Sequence, residues 1–560
     1  MPTIEINKKD LEHLCKKKFS EKTLIETLEL TKVSVEKIEK DNITVKIEDT
    51  NRADLLSVEG IARAVKGIIG KESGLVNFKI EKSNFLVKVN PKVKKVRPFT
   101  VCAVIKNLNF SEEIIEQLIQ LQEKLSETFG KKRKEAAIGV YDFDKIKWPI
   151  KYTTYRPDSL SFTPLGLVEK LSLKRILEKH EKGQTYGHLL KDHKEYPIFI
   201  DAEDNVLSMP PIINSDYSGK VTKKTKNIFI EVSGFNREKL NHILNIIVLA
   251  LAERGGKIYS VKIRDKRTIT TPDFTTKIRK IKLEEINSLL GLDLKIKEAY
   301  DFLNKLRYDV RKKDSSFIVD IPCYRQDVIH NVDLIEDIAI AYGYKNFKPI
   351  EPPIYTIGSV LEETKQKRKI SEILIGLGYQ EILSFILSNK KEQFEKMNIK
   401  PSSFLEIVNP VSETFSSLRK SLISSILKFF SNNTTKDFPQ KIFEIGKVLE
   451  PDQKKENKSK EETKLCIATS HAKANFTEIV QVLDYLMKKQ NLEYKLEKKE
   501  HLSFILGRTA EIKLIIKKDK KIQERTVGII GEVRPKVIDK WNLRMPVSLL
   551  ELDFDVLFSV

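Results

Sequence analysis

Asp327, Asp333, Glu336 and Asp337 crowd one short stretch of the chain. The last three fall at i, i+3 and i+4, so on a helix their carboxylates share a neighbouring face, with Asp327 in the loop just before. Carboxylates brought that close repel one another unless something positive sits among them. An all-oxygen set suits a hard cation, Mg²⁺ first among those in a cell. Acidic residues in a first turn also complement the helix dipole, and spacing alone leaves both readings open. No His or Cys joins in a zinc-like spacing, and no nucleophile or base is paired with the acids. Chemistry here would be structural.

The elements that place these acids are legible. Phe317, Val319 and Ile321 alternate as the end of a strand, which Pro322 stops. Asn331 suits an N-cap, and Val332, Ile335, Ala339 and Tyr342 would form one buried helix face. Gly343 can close the helix with a positive φ.

A chain of 560 residues is too long for one core and implies three to five domains. The longest apolar run, Ile246 to Ala252, is far short of a membrane span, and the N-terminus carries no signal-peptide core. The expected location is the cytoplasm, with no membrane partner. A net charge of +21 favours polyanionic partners, although a heat-adapted proteome also supplies lysine. Cys15, Cys102, Cys323 and Cys466 are scattered singly, and His180, His188 and His193 lack a metal-motif spacing.

In chain order, residues 1–90 read as a small α/β domain. Val45 and Ile47 end a strand, Asp54 suits an N-cap, and Val58, Ile61, Ala62, Val65, Ile68 and Ile69 stripe a helix that Gly70 stops. Asn90 to Pro98 reads as a stiff basic connector. Residues 91–270 mix helices and strands: Ser111 caps a helix striped by Ile115, Leu118, Ile119, Gln122 and Leu125, and Ala137 to Tyr141 is a strand. A hairpin then turns on Glu203–Asn205, and Ile228 to Val232 is a further strand. Residues 271–350 give helices Leu283 to Leu290 and Ile296 to Leu306, a strand and the acidic helix, the outline of a winged helix. Its second helix has mixed charge, so a structural role and nucleic-acid binding both stay open. In 351–560, Leu377 to Ser388 reads as a helix end running into an alternating strand, and Pro451 to Lys464 as an exposed charged loop.

Y-R-x-D (Tyr324–Asp327), five residues, then D-L-I-E-D (Asp333–Asp337) and G-Y resembles the winged-helix-like domain of the phenylalanyl–tRNA synthetase beta-subunit family, archaeal or eukaryotic type. That resemblance implies that Asp327, Asp333, Glu336 and Asp337 coordinate one Mg²⁺ per beta subunit. D-x-N-R-x-D-L-L-S-x-x-G-I-A-R, from Asp49 to Arg63, is similar to the family's first domain. The run from Phe199 to Ser215 with F-I-E-V-S-G (Phe229–Gly234) resembles its editing domain, which hydrolyses tRNA mischarged with tyrosine. By motif position Phe199, Ser208, Glu231 and Ser233 would line that cavity, with Asn214 nearby. S-G-F-N stands where the family more often has T-G-T-D, so Ser233 replaces a threonine and Asn236 an acid. No serine–histidine–acid constellation is evident, so hydrolysis would rest on a positioned water. As residues alone, Ser208 and Ser233 also suit strand ends.

N-P-V-S, S-L-R-K-S-L and F-E-I-G, with G-E-V-R-P and L-L-E-L-D-F near the end, resemble the family's class II synthetase-like antiparallel sheet module. An active site there needs arginines that clamp ATP. Arg419 reads as part of a helix-like segment, F-E-I-G lacks the arginine-plus-acid pair, and only Gly507–Arg508 resembles the last motif. No other phosphate-cradling glycine loop is present. The expectation is a multidomain α+β chain with a winged-helix-like domain and a class II-like module lacking catalytic motifs. It would support an alpha subunit that uses ATP to charge tRNA(Phe), in a tetramer of two alpha and two beta subunits. The alternative is a non-enzymatic nucleic-acid-binding or scaffold protein.

Overall fold

The computed structural model describes residues 1–518 and 521–558. The chain divides into two compact units, Met1–Glu351 and Pro352–Val560.

The first unit begins with a three-stranded antiparallel sheet of Thr3–Asn7, Asn42–Ile47 and Val33–Glu39. Period-2 alternation buries Ile4, Ile6, Ile43, Val45 and Ile47 on one face. Helix Val58–Ile68 packs close by, but its N-cap is Ser57, whose Oγ accepts from Gly60 N, and not Asp54. Asp54 lies in a preceding 3₁₀ turn, where its carboxylate takes the fork of Arg52 at 2.8 Å. Gly60 has to be glycine, because a Cβ would collide with the Asp54 carbonyl.

Two further sheets carry the middle of this unit. One has seven strands, running from Ile213–Asn214 through Val206–Met209, Tyr196–Ile200, Ile150–Tyr155 and Leu86–Val89 to Val261–Arg264 and Thr268–Thr271. The other has five: Ile80–Glu81, Lys257–Tyr259, Phe99–Lys106, Ile228–Gly234 and Ala136–Asp142. Residues 80–89 therefore pair into the sheets of the second segment and do not close the first domain. Asn90 to Pro98, expected as a stiff basic connector, is built into the fold. Asn90 caps a 3₁₀ turn over Pro91–Lys95, and Arg97 is buried and donates to the Ser233 carbonyl at 2.5 Å.

A third sheet has Ser316–Ile321 between Lys277–Lys282 and Asp309–Lys313. Helices Leu283–Leu290, Ile296–Lys305 and Asn331–Tyr342 pack with it, and Gly291 ends the first at φ 65°. The N-cap of the acidic helix is His330, whose Nδ1 accepts from Val332 N, while Asn331 is its first residue. Val332 is 48% exposed, so the buried face is centred on Leu334, Ile335, Ile338 and Ala339.

The second unit is built on a seven-stranded sheet: Gln380–Glu381, Gln440–Pro451, Ser459–Ser470, Val547–Asp553, Lys521–Val533, Phe504–Lys518 and Tyr494–Lys498. All its pairings are antiparallel except that of Gln380–Glu381. Alternation sends Leu465 and Ile467 to a core with helices Glu362–Gly376 and Phe476–Lys489, and Cys466 and Ala468 to one with Ile423–Asn432 and Trp541. Half of Pro451 to Lys464 is the paired ends of two long strands, and residues 452–458 form the turn between them. In Leu377 to Ser388 only Gln380–Glu381 and Leu387–Ser388 pair, and Leu383 and Phe385 face outward, 88% and 77% exposed.

Candidate functional site

The two sheets in the middle of the first unit meet helix Glu112–Glu127 around a cavity of about 310 Å³. The helix contributes Leu118 and Gln122, strand Ala136–Asp142 contributes Ile138 and Val140, and Glu231 comes from Ile228–Gly234. Ser208 and Asn214 reach it from paired strands, opposite each other in register. The walls are mainly apolar, so each polar group there has to be accounted for.

Most are. Gln122 Nε2 donates to the Ile138 carbonyl at 2.8 Å and Asn214 Nδ2 to the Val140 carbonyl at 3.2 Å. Arg133 Nη1 donates to the carbonyls of Pro211 and Ile212 at 3.2 and 2.8 Å. The Tyr141 hydroxyl lies 2.7 Å from Ser208 Oγ and 3.2 Å from Glu231 Oε1. Gly139 makes room for this group, since a Cβ there would collide with the Tyr141 hydroxyl and crowd Glu231 Oε1.

The exception is Glu231. It is 2% exposed and its Oε2 is buried without a hydrogen-bond partner. Burial pushes its carboxyl up to about 8, against the pull of the Arg97 guanidinium. At neutral pH the side chain is therefore mainly a neutral acid, able both to donate and to accept.

Of the five residues expected in this pocket, Ser208, Asn214 and Glu231 line it. Phe199 and Ser233 do not: they lie behind the wall. Phe199 pairs in register with Ser208, but its ring stacks on Tyr152, centroids 4.2 Å apart at 11°. Ser233 Oγ accepts from Arg97 Nε at 3.1 Å and is fully buried. Tyr141, Arg133 and Arg97 were not read from the sequence as site residues. Gln122 carried a signal, as the one polar position in an otherwise apolar helix stripe.

The acidic stretch is arranged differently from a chelating set. Arg325 Nη2 lies 2.6 Å from Asp327 and 2.7 Å from Asp337, whose Oδ2 also accepts from the Tyr308 hydroxyl at 2.5 Å. Burial works against ionised Asp327, but Arg325 prevails and holds it down to about 2. Asp333 caps its own helix, accepting from the backbone of Ile329 and His330 at 2.7 and 2.6 Å. Glu336 is drawn instead to Lys32, whose Nζ lies 2.7 Å from Asp49, 3.3 Å from Glu336 and 3.9 Å from Asp337. Among the described residues, no three of His, Cys, Asp or Glu are placed to hold a metal ion. As placed, the four acids give Mg²⁺ no common point.

In the second unit Arg419 follows the short strand Ser417–Leu418 and belongs to no helix. It forms a buried ion pair with Glu444 of F-E-I-G at 2.8 Å and donates to Ser384 Oγ at 2.7 Å and the Lys447 carbonyl at 2.9 Å. An arginine-plus-acid pair is thus present, but each partner neutralises the other inside the protein.

Comparison with known proteins places these features in one family. The chain matches the B3/4 domain over residues 91–250, which hold the cavity. It matches the tRNA synthetase B5 domain over 279–344 and the phenylalanyl tRNA synthetase beta chain CLM domain over 349–554. It is 42% identical over 557 residues to the phenylalanine–tRNA ligase beta subunits of Pyrococcus abyssi and Pyrococcus horikoshii, covering 99% of the chain and of each relative. The crystal structure of an N-terminal fragment of the phenylalanyl-tRNA synthetase beta-subunit from Pyrococcus horikoshii superposes with a TM-score of 0.60 at 44% identity, over 61% of this chain and all of that one. With agreement along nearly its whole length, the chain belongs to the phenylalanine–tRNA ligase beta-subunit family.

Proposed function

We propose that this chain is the editing, non-activating subunit of a phenylalanine–tRNA ligase, and that its cavity removes tyrosine wrongly attached to tRNA(Phe). The observation that carries this reading is the unpartnered Oε2 of Glu231 in an apolar cavity. A phenyl ring with a hydroxyl satisfies that carboxyl, whereas a bare phenyl ring leaves it buried and unpaired. Sites built on such a bond discriminate by up to ~10⁴-fold or more, while rejecting one extra hydroxyl by bulk alone is weak. The Tyr141 hydroxyl, itself tied to Ser208 Oγ, holds Glu231 Oε1 in place, and the bond broken is the ester to the terminal ribose. A water positioned over the cavity mouth attacks it, since no serine–histidine–acid group adjoins the cavity.

Activation with ATP is assigned to an alpha subunit, in a tetramer of two alpha and two beta subunits working in the cytoplasm. The antiparallel sheet of the second unit supports a class II-like module, and the neutralised Arg419–Glu444 pair supports its inactivity. Exposed Tyr355, Ile357, Leu383, Phe385, Val408 and Val411 on that unit offer apolar surface for a partner. The helices and small sheet of residues 271–350 suit a winged-helix-like module. No helix among the described residues is long and apolar enough to cross a membrane.

Mg²⁺ at Asp327, Asp333, Glu336 and Asp337 is a separate proposal that rests on the motif resemblance. A divalent ion there would supply the counter-charge that Arg325 and Lys32 supply as placed, so no step is derived through it.

Deacylation of Tyr-tRNA(Phe) by the chain, with and without its alpha subunit, tests the reading. Hydrolysis of the tyrosyl ester supports it; no hydrolysis in either case leaves a scaffold or nucleic-acid-binding role.

A further inference from the structure

Beside the cavity runs a larger groove of about 1100 Å³, and the two share Pro211. Arg133 forms part of the wall between them. It lines the cavity, donates to the carbonyls of Pro211 and Ile212, and places its guanidinium 4.4 Å from the ring of Tyr186, which lines the groove.

The loop that carries Arg133 is held in an uncommon shape. Lys131, Lys132 and Arg133 have φ of 48°, 52° and 65°, three non-glycine residues in succession in the left-handed region. Arg97, buried beneath, donates to the carbonyls of Arg133 and Lys134 at 3.3 and 3.4 Å and fixes them. The loop thereby turns its lysines to the groove. Lys131 is paired with Glu135, which also takes Lys239, so that acid is already neutralised. Lys132 and Lys134 are exposed, and no ion pair holds them among the described residues. Phe235 stands on the same groove, 50% exposed, with the Arg97 guanidinium 5.7 Å from its ring.

Unpaired lysines along a channel, with a half-exposed aromatic ring beside them, are the equipment of a single-stranded nucleic-acid site. Phosphates meet the ammonium groups and a base stacks on the ring. We propose that this groove holds the single-stranded 3′ end of the RNA whose terminal ester enters the cavity, with Lys132 and Lys134 on its phosphates and Phe235 under a base. This rests on the editing reading and extends it: the groove is the approach, and the Arg133–Pro211 wall is where the strand turns into the cavity. An acidic peptide would satisfy the lysines but not use the adjoining cavity.

The test uses the full chain with its alpha subunit and a labelled single-stranded RNA oligonucleotide with the 3′ sequence of tRNA(Phe). Affinity is measured across a range of salt for wild type, Lys132→Gln/Lys134→Gln and Phe235→Ala. Removing two phosphate contacts lowers the slope of log K against log salt by about 1.4, at about 0.7 per contact on a single strand. Phe235→Ala weakens binding about tenfold or more with the slope unchanged. A photoreactive 3′-terminal nucleotide should crosslink within residues 131–135 or 185–193. Unchanged slope and affinity in the double variant, or crosslinks confined elsewhere, overturn the proposal. Wild-type deacylation is read in parallel. If it proceeds while the groove variants bind RNA normally, the groove is wrong and editing stands. If it is absent while the variants lose binding, editing is wrong and the groove stands.

Discussion

The Tyr141 hydroxyl and the Glu231 carboxyl meet at 3.2 Å, both inside the protein, with the second Glu231 oxygen unpartnered. This sets a pH dependence of stability. Glu231 titrates at about 8 in the folded chain, against 4.5 for an ordinary glutamate, because burial penalises its charge. Between those values the folded state keeps a proton that the unfolded state has lost. Stability therefore falls as pH rises through that window, by about 1.4 kcal/mol per pH unit at most, and levels off above it. Glu231→Gln, uncharged throughout, removes this component. Chemical denaturation of both proteins from pH 5 to 9 should show wild type losing stability relative to the variant as pH rises; parallel curves would contradict the buried neutral acid.

Gly139 faces the same pair. An alanine Cβ would collide with the Tyr141 hydroxyl and crowd Glu231 Oε1, and neither can retreat into solvent. Gly139→Ala is expected to lower Tyr-tRNA(Phe) deacylation at least tenfold while the alpha subunit's charging of tRNA(Phe) continues. Both rates are measured on the assembled enzyme.

Lys32 brings a positive charge to Asp49, Glu336 and Asp337 from far away in sequence. Lys32→Met leaves those carboxylates facing each other with a single arginine, Arg325, nearby on Asp337. Lys32 is part-buried and Glu336 half-exposed, so losing the ammonium costs about 1 kcal/mol after solvent screening, and a divalent cation should return part of it. A lowered melting temperature in chelator that recovers with Mg²⁺ is the expected result. The same titration on wild type reads out the Mg²⁺ proposal: a saturable rise supports the ion, and no rise counts against it.

Arg419 and Glu444 form a pair whose side chains are only 2% and 1% exposed. Arg419→Met strands the glutamate in the core and should destabilise the protein by about 3–5 kcal/mol. Adding Glu444→Gln removes the uncompensated charge and should restore most of the loss, a coupling that a double-mutant cycle measures.

Much of this architecture was legible in the residues. Gly291 ends its helix where expected, Ser111 caps the helix over the cavity by accepting from Ile114 N, and Asp204 turns the predicted hairpin at φ 61°. What escaped depends on distant partners. The acids of one helix do suggest a cation, but spacing cannot reveal that Arg325 and Lys32 provide one. Strand alternation places Glu231 and Ser233 on one face, but spacing cannot reveal that Arg97 occupies the Ser233 hydroxyl, which does not line the cavity. Register likewise sets Phe199 beside Ser208, and stacking on Tyr152 takes its ring out of the site. Charged residues around 451–464 read as a loop because solvated strand ends and loops share one composition.

The most direct measurement is single-turnover deacylation of Tyr-tRNA(Phe) and Phe-tRNA(Phe) by the assembled enzyme, wild type and Glu231→Ala. The tyrosyl ester should be cleaved faster than the phenylalanyl ester by a factor on the order of 10²–10⁴, and Glu231→Ala should erase most of that ratio. Equal rates in wild type, or a ratio untouched by the substitution, would contradict the assignment of this cavity.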